Sequence, residues 1–254
     1  MKDKYWAKRA YQKTNPVEYE EKRFSGPAGE IIDRIEKSSV LELLLKYYPV
    51  AQRGEKALEI LDVACGTGRL SLFLKEKLNE KINITGLDIS PKMLTLARRK
   101  AKKAKTGISF IEGDIYHLPF AENQFDAVVG LRFSMHLPEI ETVLKELSRV
   151  VKKGGLIIFD FFNFRSLLRL RKFGFLPKER GIYRLGEIVE KGQRVNLRME
   201  DKRGILLFGE TILRRCPPKL LPLLSFTFYP SAPFSNLATK LVVRFRKQNN
   251  VSND

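Results

Sequence analysis

The stretch Asp62-Val63-Ala64-Cys65-Gly66-Thr67-Gly68 lies between a strand signal and a helix signal. It ends the apolar run 58–63, which is typical of a short buried strand, and it precedes a helix with apolar residues at periodic positions from Leu70 onward. Small residues between a strand and a helix let a ligand approach the backbone, and the first turn of the helix offers free N–H groups. The stretch therefore predicts a ligand site at a strand–loop–helix junction.

Strands and helices alternate on the carboxyl side of this loop. Ser90 and Pro91 are typical of a helix start, with serine at the N-cap and proline at the first helical position. Alternation at this spacing implies a parallel sheet with helices on both faces, so we predict a doubly wound α/β fold. The predicted strands lie at 58–63, 82–87, 108–111, 125–130 and 156–160.

Length, composition and charge exclude several classes of protein. The 254 residues are 43% hydrophobic, enough to bury a sizeable core. No eighteen-residue apolar run and no apolar signal region is found, and two cysteines, Cys65 and Cys216, are too few for a disulfide framework or a four-ligand zinc site. We therefore expect a cytoplasmic protein, with peripheral association at a membrane left open.

The net charge of +18 comes from 47 Lys and Arg against 29 Asp and Glu. Such an excess fits a nucleic acid, an anionic membrane surface or an acidic substrate as the partner. It fits equally well a generally basic surface that has no specific partner. Charge alone leaves these alternatives open.

The glycine loop fits the dinucleotide fingerprint G-x-G-x-x-G poorly. Its three positions are occupied here by Ala64, Gly66 and Arg69, and arginine is too large for the close helix–strand packing that the third position needs. The acid that precedes the loop, Asp62, would also repel a pyrophosphate. An acid at this place suits a ligand with a positively charged amine.

These residues resemble motif I of the class I S-adenosylmethionine-dependent methyltransferases, and further motifs of that family follow in order. The resemblance covers about residues 23–161, and Ala64 departs from the glycine that many members carry. It implies a Rossmann-like, mostly parallel, seven-stranded sheet with N-terminal lid helices, and S-adenosylmethionine as the cofactor. The segments that resemble the second motif, the third motif, the fourth strand and the turn into the fifth strand are 86–94, 112–120, 125–129 and 149–155.

The resemblance also implies the residues that hold the cofactor. Asp88 is expected to accept hydrogen bonds from both ribose hydroxyls, Asp114 and its neighbour to hold the adenine, and Asp62 to serve the amine of the methionine part. The alternatives are an ordinary acid before a helix for Asp88 and a turn residue for Asp114. The predicted cofactor-binding residues are Asp62, Ala64, Gly66, Gly68, Asp88, Ile89, Met93, Asp114, Ile115 and Leu131.

Methyl transfer from a sulfonium cation requires mainly alignment of the acceptor and exclusion of water. A base is needed only if the acceptor loses a proton. His136 follows the fourth strand, at the edge that lines the ligand crevice of doubly wound sheets, so it is the candidate base for a hydroxyl acceptor. The alternative is a histidine that packs beside the cofactor. No carboxylate–histidine cluster indicates a metal.

The predicted substrate or lid residues are Tyr11, Tyr19 and Arg23 in the N-terminal segment and Arg169 in the basic, apolar segment 165–180. The apolar and aromatic stretch 220–229 is predicted to cover an apolar acceptor, with an ordinary core segment as the alternative. We therefore expect a small acceptor, hydrophobic or anionic, such as a quinone or a lipid precursor. An RNA methyltransferase (tRNA or rRNA) that uses the basic surface, and a cofactor-binding protein without catalysis, remain as alternatives.

The predicted domain organisation follows from the same resemblance. A helical cap spans 1–50, and a methyltransferase domain spans 51–248 with a substrate-side insertion at about 162–236. Residues 249–254 are expected to form a disordered tail. The sequence does not determine the oligomeric state.

Overall fold

The computed structural model describes residues 11, 13–46, 48, 57–166, 181–230 and 234–249. Predictions about residues 1–10, about Arg169 and its neighbours, and about the tail beyond residue 249 concern residues outside these ranges. Eight strands form one sheet: β1 (Leu58–Val63), β2 (Ile82–Asp88), β3 (Ser109–Glu112), β4 (Phe125–Gly130), β5 (Val151–Asn163), β6 (Ile182–Tyr183), β7 (Leu197–Ile205) and β8 (Lys240–Lys247).

The strand order is β3-β2-β1-β4-β5-β8-β7, and the two-residue β6 pairs with the end of β5. Pairing is parallel from β3 through β5, whereas β8 runs antiparallel to both β5 and β7. The predicted doubly wound, mostly parallel sheet is thereby confirmed. Since β1 pairs with β2 on one side and β4 on the other, the carboxyl ends of β1 and β4 flank the point where ligands bind in such sheets.

A side chain caps the start of two helices, and the cap at Ser90 confirms the prediction from the sequence. The Asn15 side chain accepts a hydrogen bond from the N–H of Val17 at 3.0 Å, and the Ser90 hydroxyl accepts one from the N–H of Met93 at 3.4 Å. A proline follows each cap, where its missing N–H costs nothing. The helices are α1 (Pro16–Phe24), α2 (Gly26–Leu45), α3 (Arg69–Leu78), α4 (Pro91–Lys103), α5 (Ile140–Val150), α6 (Leu185–Arg194) and α7 (Glu210–Arg215).

The two faces of the sheet carry separate hydrophobic cores. Ile157 and Phe159 of β5 belong to the core that includes α5 and α6. Leu156 and Ile158 belong to the core that includes α2 and α3, because successive side chains of a strand point to opposite faces. Strand β5 is therefore buried on both faces, as its unbroken apolar run indicates.

The segment 162–236, predicted as a substrate-side insertion, also contains parts of the sheet. Strand β7 pairs with β8 from Leu197 opposite Lys247 to Ile205 opposite Lys240, and the buried Ile188 of α6 joins the core beside α5. The part that leaves the sheet lies between β7 and β8. It contains α7 and three short 3-10 helices, Pro218–Leu220, Pro222–Thr227 and Phe234–Leu237. The boundaries at 50 and 248 stay predictions.

Candidate active site

A pocket opens at the carboxyl ends of β1, β2 and β4, where the strand order reverses. Most of the predicted cofactor residues line it together with side chains of the N-terminal segment. The lining residues are Tyr11, Tyr19, Ala64, Gly66, Leu87, Asp88, Ile89, Met93, Gly113, Asp114, Ile115, Tyr116, Leu131, Arg132, Phe133, His136 and Leu137.

The glycine loop takes a tight left-handed path. Gly66 and Gly68 have φ angles of 55° and 75°, and Ala64 has a φ of 50° although it carries a side chain. A Cβ added at Gly66 would meet no atom within 4 Å, so the backbone is open to a ligand at this point. At Gly68 a Cβ would lie 3.0 Å from the Phe110 ring, so this glycine packs against the side chain of a neighbouring strand. It does not line the pocket.

Asp88 ties the end of β2 to the glycine loop. Its Oδ2 accepts a hydrogen bond from the N–H of Gly66 at 2.8 Å, and its Oδ1 accepts one from the N–H of Ser90 at 2.9 Å. Burial raises the pKa of Asp88, while these backbone hydrogen bonds act to lower it. Each carboxylate oxygen keeps a further lone pair for a donor in the pocket.

Asp62 lies outside the pocket wall. It is fully buried at the end of β1, and the Ser71 hydroxyl of α3 donates a hydrogen bond to its Oδ2 at 2.5 Å. Burial raises the pKa of this carboxyl to about 7, against an ordinary value of 3.8. Its connection to the pocket therefore runs through the loop that follows it.

Asp114 forms a turn at the pocket wall. Its Oδ1 accepts a hydrogen bond from the N–H of Tyr116 at 2.9 Å, and its carbonyl accepts one from the N–H of His117 at 3.0 Å. This turn brings Ile115 and Tyr116 to the wall with it. The turn geometry that was the structural alternative for Asp114 is thus present, together with a place in the pocket.

Aromatic side chains form another part of the wall. The Tyr11 hydroxyl shares a hydrogen bond of 3.1 Å with His136 Nε2, and the Tyr11 ring meets the rings of Tyr19 and His136 edge-on at 5.9 and 5.6 Å. Burial raises the pKa of Tyr11, so its phenol is neutral at physiological pH. The imidazole of His136 and the neutral phenol of Tyr11 therefore share one hydrogen bond in the pocket wall.

Arg23 does not line the pocket. Its guanidinium lies 5.8 Å from the centroid of the Tyr19 ring, so its contact with the pocket runs through that tyrosine. A residue that the sequence analysis missed, Glu20, attaches α1 to the glycine loop. Its carboxylate accepts hydrogen bonds from the Thr67 hydroxyl and from Lys100 Nζ. No periodic pattern marks such a long-range contact.

Arg132 is the largest omission of the sequence analysis. It follows β4 with a φ of 64°, and its N–H donates to Asp160 Oδ1 at 2.6 Å. Its guanidinium pairs with the buried Glu36 of α2 and with Glu210 of α7. Lys240 of β8 joins them through contacts of 2.5 Å to Glu36 and 2.7 Å to Glu210. A charged residue directly after an apolar strand was the signal that could have drawn attention to Arg132.

The stretch 220–229 differs from its predicted position over the acceptor. Leu221 and Phe228 are buried in the core shared with α2, and the Tyr229 hydroxyl donates to the Ile35 carbonyl at 3.4 Å. No side chain that the structure describes in this stretch lines the pocket. The ordinary core alternative holds for Leu221 and Phe228, because their side chains belong to the core that includes α2.

Two features are absent from the described ranges. No helix there is long and apolar enough to cross a membrane. No group of three or more His, Cys, Asp or Glu side chains there is arranged to hold a metal ion.

Strand order, glycine loop and Asp88 together define the class I methyltransferase fold. Residues 60–155 match the family model described as a methyltransferase domain. This part of the chain is therefore a methyltransferase domain, and it lies within a fold of the class I type.

Two curated relatives each match part of the chain. The demethylmenaquinone methyltransferase of Lactococcus lactis is 42% identical over 105 residues, 40% of this chain and 40% of that protein. The protein of the same name from Listeria welshimeri is 39% identical over 107 residues, 41% of this chain and 44% of that protein. The match spans less than half the length of these relatives.

A solved structure resembles the whole chain. Magnesium protoporphyrin IX methyltransferase from Synechocystis was crystallised with bound SAH (S-adenosylhomocysteine, the demethylated product of S-adenosylmethionine). It superposes on this chain with a TM-score of 0.69 and 17% identity. The superposition covers 97% of this chain and 100% of that chain. At this identity the likeness bears on the fold alone.

Proposed function

We propose that this protein is an S-adenosylmethionine-dependent methyltransferase whose acceptor is a small, apolar, quinone-like molecule. The observation that carries the proposal is one pocket with two kinds of wall. The glycine loop, Asp88 and Asp114 form one part, and the Tyr11–His136 pair forms another. The first suits a nucleoside with an amino-acid tail, and the second suits a hydroxyl group that loses a proton.

The residues present fit S-adenosylmethionine, which supplies an electrophilic methyl group when it is bound. Asp88 offers its remaining lone pairs to the ribose hydroxyls. The open backbone at Gly66 accommodates the methionine part, and Asp114 with Ile115 borders the adenine. Ala64, Ile89, Met93 and Leu131 line the same pocket and would enclose these groups with apolar atoms.

The Tyr11–His136 pair is the proposed proton-handling group. Histidine takes up a proton near neutral pH, and the hydrogen bond between Nε2 and the Tyr11 hydroxyl orients the imidazole. The proton of an acceptor hydroxyl passes to His136, directly or through the Tyr11 hydroxyl. The surrounding Tyr19 and Phe133 exclude water from this part of the pocket.

Two observations support an apolar acceptor. The first is that Leu131, Phe133 and Leu137 line the pocket. The second concerns Arg132, which is the one Lys or Arg among the described lining residues and is paired with Glu36 and Glu210. A phosphate backbone would therefore find no unpaired cation there. The names of the two bacterial relatives point to the same class of acceptor.

A methyl-transfer assay with radiolabelled S-adenosylmethionine tests the proposal. At about physiological salt, a short-chain 1,4-naphthohydroquinone and total RNA are offered in separate reactions. We expect label in the quinol. Label only in a discrete RNA species supports the RNA methyltransferase instead, and SAH binding without label in any pool supports a cofactor-binding protein without catalysis.

A further inference from the structure

Exposed apolar side chains are concentrated in one segment of the chain. Seven large hydrophobic side chains are exposed among the residues that the structure describes, and five of them lie between β7 and β8. Leu223 is 70% exposed and Phe234 is 54% exposed. Such a concentration marks a binding surface more often than chance exposure. The five residues are Ile212, Leu220, Leu223, Tyr229 and Phe234.

The local backbone presents apolar residues in two directions. Leu221 is 2% exposed, and Leu224 packs with it against the core shared with α2. Leu220 and Leu223 have the same three-residue spacing, which matches one turn of a 3-10 helix, and they face solvent. Core packing therefore accounts for Leu221 and Leu224. It does not account for Leu220 and Leu223, which are exposed.

Cations accompany these leucines. Arg214, Arg215 and Lys219 are exposed in the same segment, and the sequence contains no Asp or Glu from residue 211 to residue 249. Apolar side chains among cations, without acids, suit the interface of an anionic lipid bilayer. A symmetric contact with a second copy would bring like charges together, and an RNA would leave the leucines in water.

We propose that the surface formed by Ile212, Arg214, Arg215, Lys219, Leu220 and Leu223 docks this protein onto an anionic lipid bilayer. Leu220 and Leu223 enter the boundary between headgroups and acyl chains, and Arg214, Arg215 and Lys219 lie beside the lipid phosphates. The docking surface is close to the pocket, because Arg214 donates a hydrogen bond to the Arg23 carbonyl at the end of α1, the helix that carries Tyr19. Delivery of an apolar acceptor from the bilayer rests on the proposed function, whereas the docking itself does not.

Vesicle sedimentation of the full chain, without cofactor or acceptor, tests the docking at about physiological salt. We expect binding to vesicles of phosphatidylcholine and phosphatidylglycerol (3:1) and little binding to phosphatidylcholine alone. Replacement of Leu220 and Leu223 by Ser should lower the partition coefficient at least tenfold. Replacement of Arg215 and Lys219 by Ala should lower it by roughly thirtyfold.

The matched control removes two exposed cations elsewhere. Lys102→Ala with Lys103→Ala, at the end of α4, lowers the net charge equally and should change the partition coefficient less than twofold. An equal loss with this control would attribute binding to the net charge of +18 and overturn the proposal. Undiminished binding by the leucine variant would also overturn it.

A second measurement examines the competing occupant. Sedimentation velocity without vesicles should show the same oligomeric state for the wild type and the leucine variant. A dimer that the leucine replacements dissociate would make this face a contact between copies and reject the lipid surface. Since these replacements lie outside the pocket, SAH binding by the variant reports on the proposed function separately.

Discussion

Arg132 and Glu36 form a two-point ion pair across 96 residues of sequence. Arg132 Nε lies 2.9 Å from Glu36 Oε2, and Nη2 lies 2.9 Å from Oε1. The Glu36 side chain is fully buried, and its charged partners hold its pKa below the ordinary range, Arg132 most strongly, against the effect of burial. The pair fixes α2 to the loop after β4, directly beside the pocket.

Glu36→Gln should lower the free energy of unfolding by about 3–5 kcal/mol, because it leaves Arg132 and Lys240 short of a buried counter-charge. Urea unfolding at pH 7 measures the loss. Glu190→Gln is the matched control, since Glu190 pairs with Arg194 on an exposed helix face and should contribute less than about 1 kcal/mol. Similar losses for the two variants would show that the buried pair has no special importance.

Asp62 should make stability depend on pH. Its pKa is about 7 in the folded state and near 3.8 when unfolded, so between these values the folded state binds a proton that the unfolded state has lost. This contribution is complete below about pH 4 and is lost as the pH rises through 7. It amounts to on the order of 4 kcal/mol.

Asp62→Asn removes this titration while it keeps an acceptor for the Ser71 hydroxyl. Urea unfolding of both proteins from pH 4.5 to 8 isolates the effect, since the other titrating groups are common to the two proteins. The stability of the wild type relative to the variant should fall across this range. A difference that does not change with pH would contradict the burial argument.

The features of the fold that could be predicted from the sequence are those with local signals. The capping at Ser90, the proline after it and the alternation of apolar runs act over a few residues, and each appears at the expected place. The glycine loop is equally local, since its left-handed backbone depends on Gly66 and Gly68 themselves.

The remaining features depend on contacts that leave no periodic trace. Glu36 lies among apolar residues of α2, and its partners at 132 and 240 are found only when the chain is folded. The stretch 220–229 was equally ambiguous, because apolar residues in succession fit a core segment or a cover. Only the packing of Leu221 against α2 decides between them.

Asp88→Ala should weaken SAH binding by about 1.5–3 kcal/mol, which is a loss of affinity of roughly tenfold to more than a hundredfold. This is the cost of removing a buried carboxylate from its hydrogen-bond partners. Calorimetric titration measures the affinity, and circular dichroism checks that the variant folds. Glu112→Ala, an exposed carboxylate at the end of β3, should change the affinity less than twofold. An unchanged affinity for the Asp88 variant would exclude this carboxylate from the cofactor site.

Tyr11→Phe should separate binding from turnover. The replacement removes the hydroxyl that meets His136 Nε2 at 3.1 Å and keeps the ring that contacts Tyr19. We expect kcat with the quinol acceptor to fall by about 10²-fold, within the range of proton-transfer catalysis, while SAH affinity changes less than threefold. Tyr48→Phe makes the same chemical change at a hydroxyl that donates to the Asp126 carbonyl, outside the pocket, and should leave kcat unchanged.

The pH profile of kcat distinguishes the function of this hydroxyl from simple packing. If Tyr11 orients the imidazole, its loss should move the acidic limb of the profile, because the protonation of His136 then takes place without that hydrogen bond. His136→Gln should abolish the limb altogether. A Tyr11 variant with lower kcat but an unshifted limb would assign Tyr11 to packing alone, and full activity of the His136 variant would show that the acceptor needs no base from this chain.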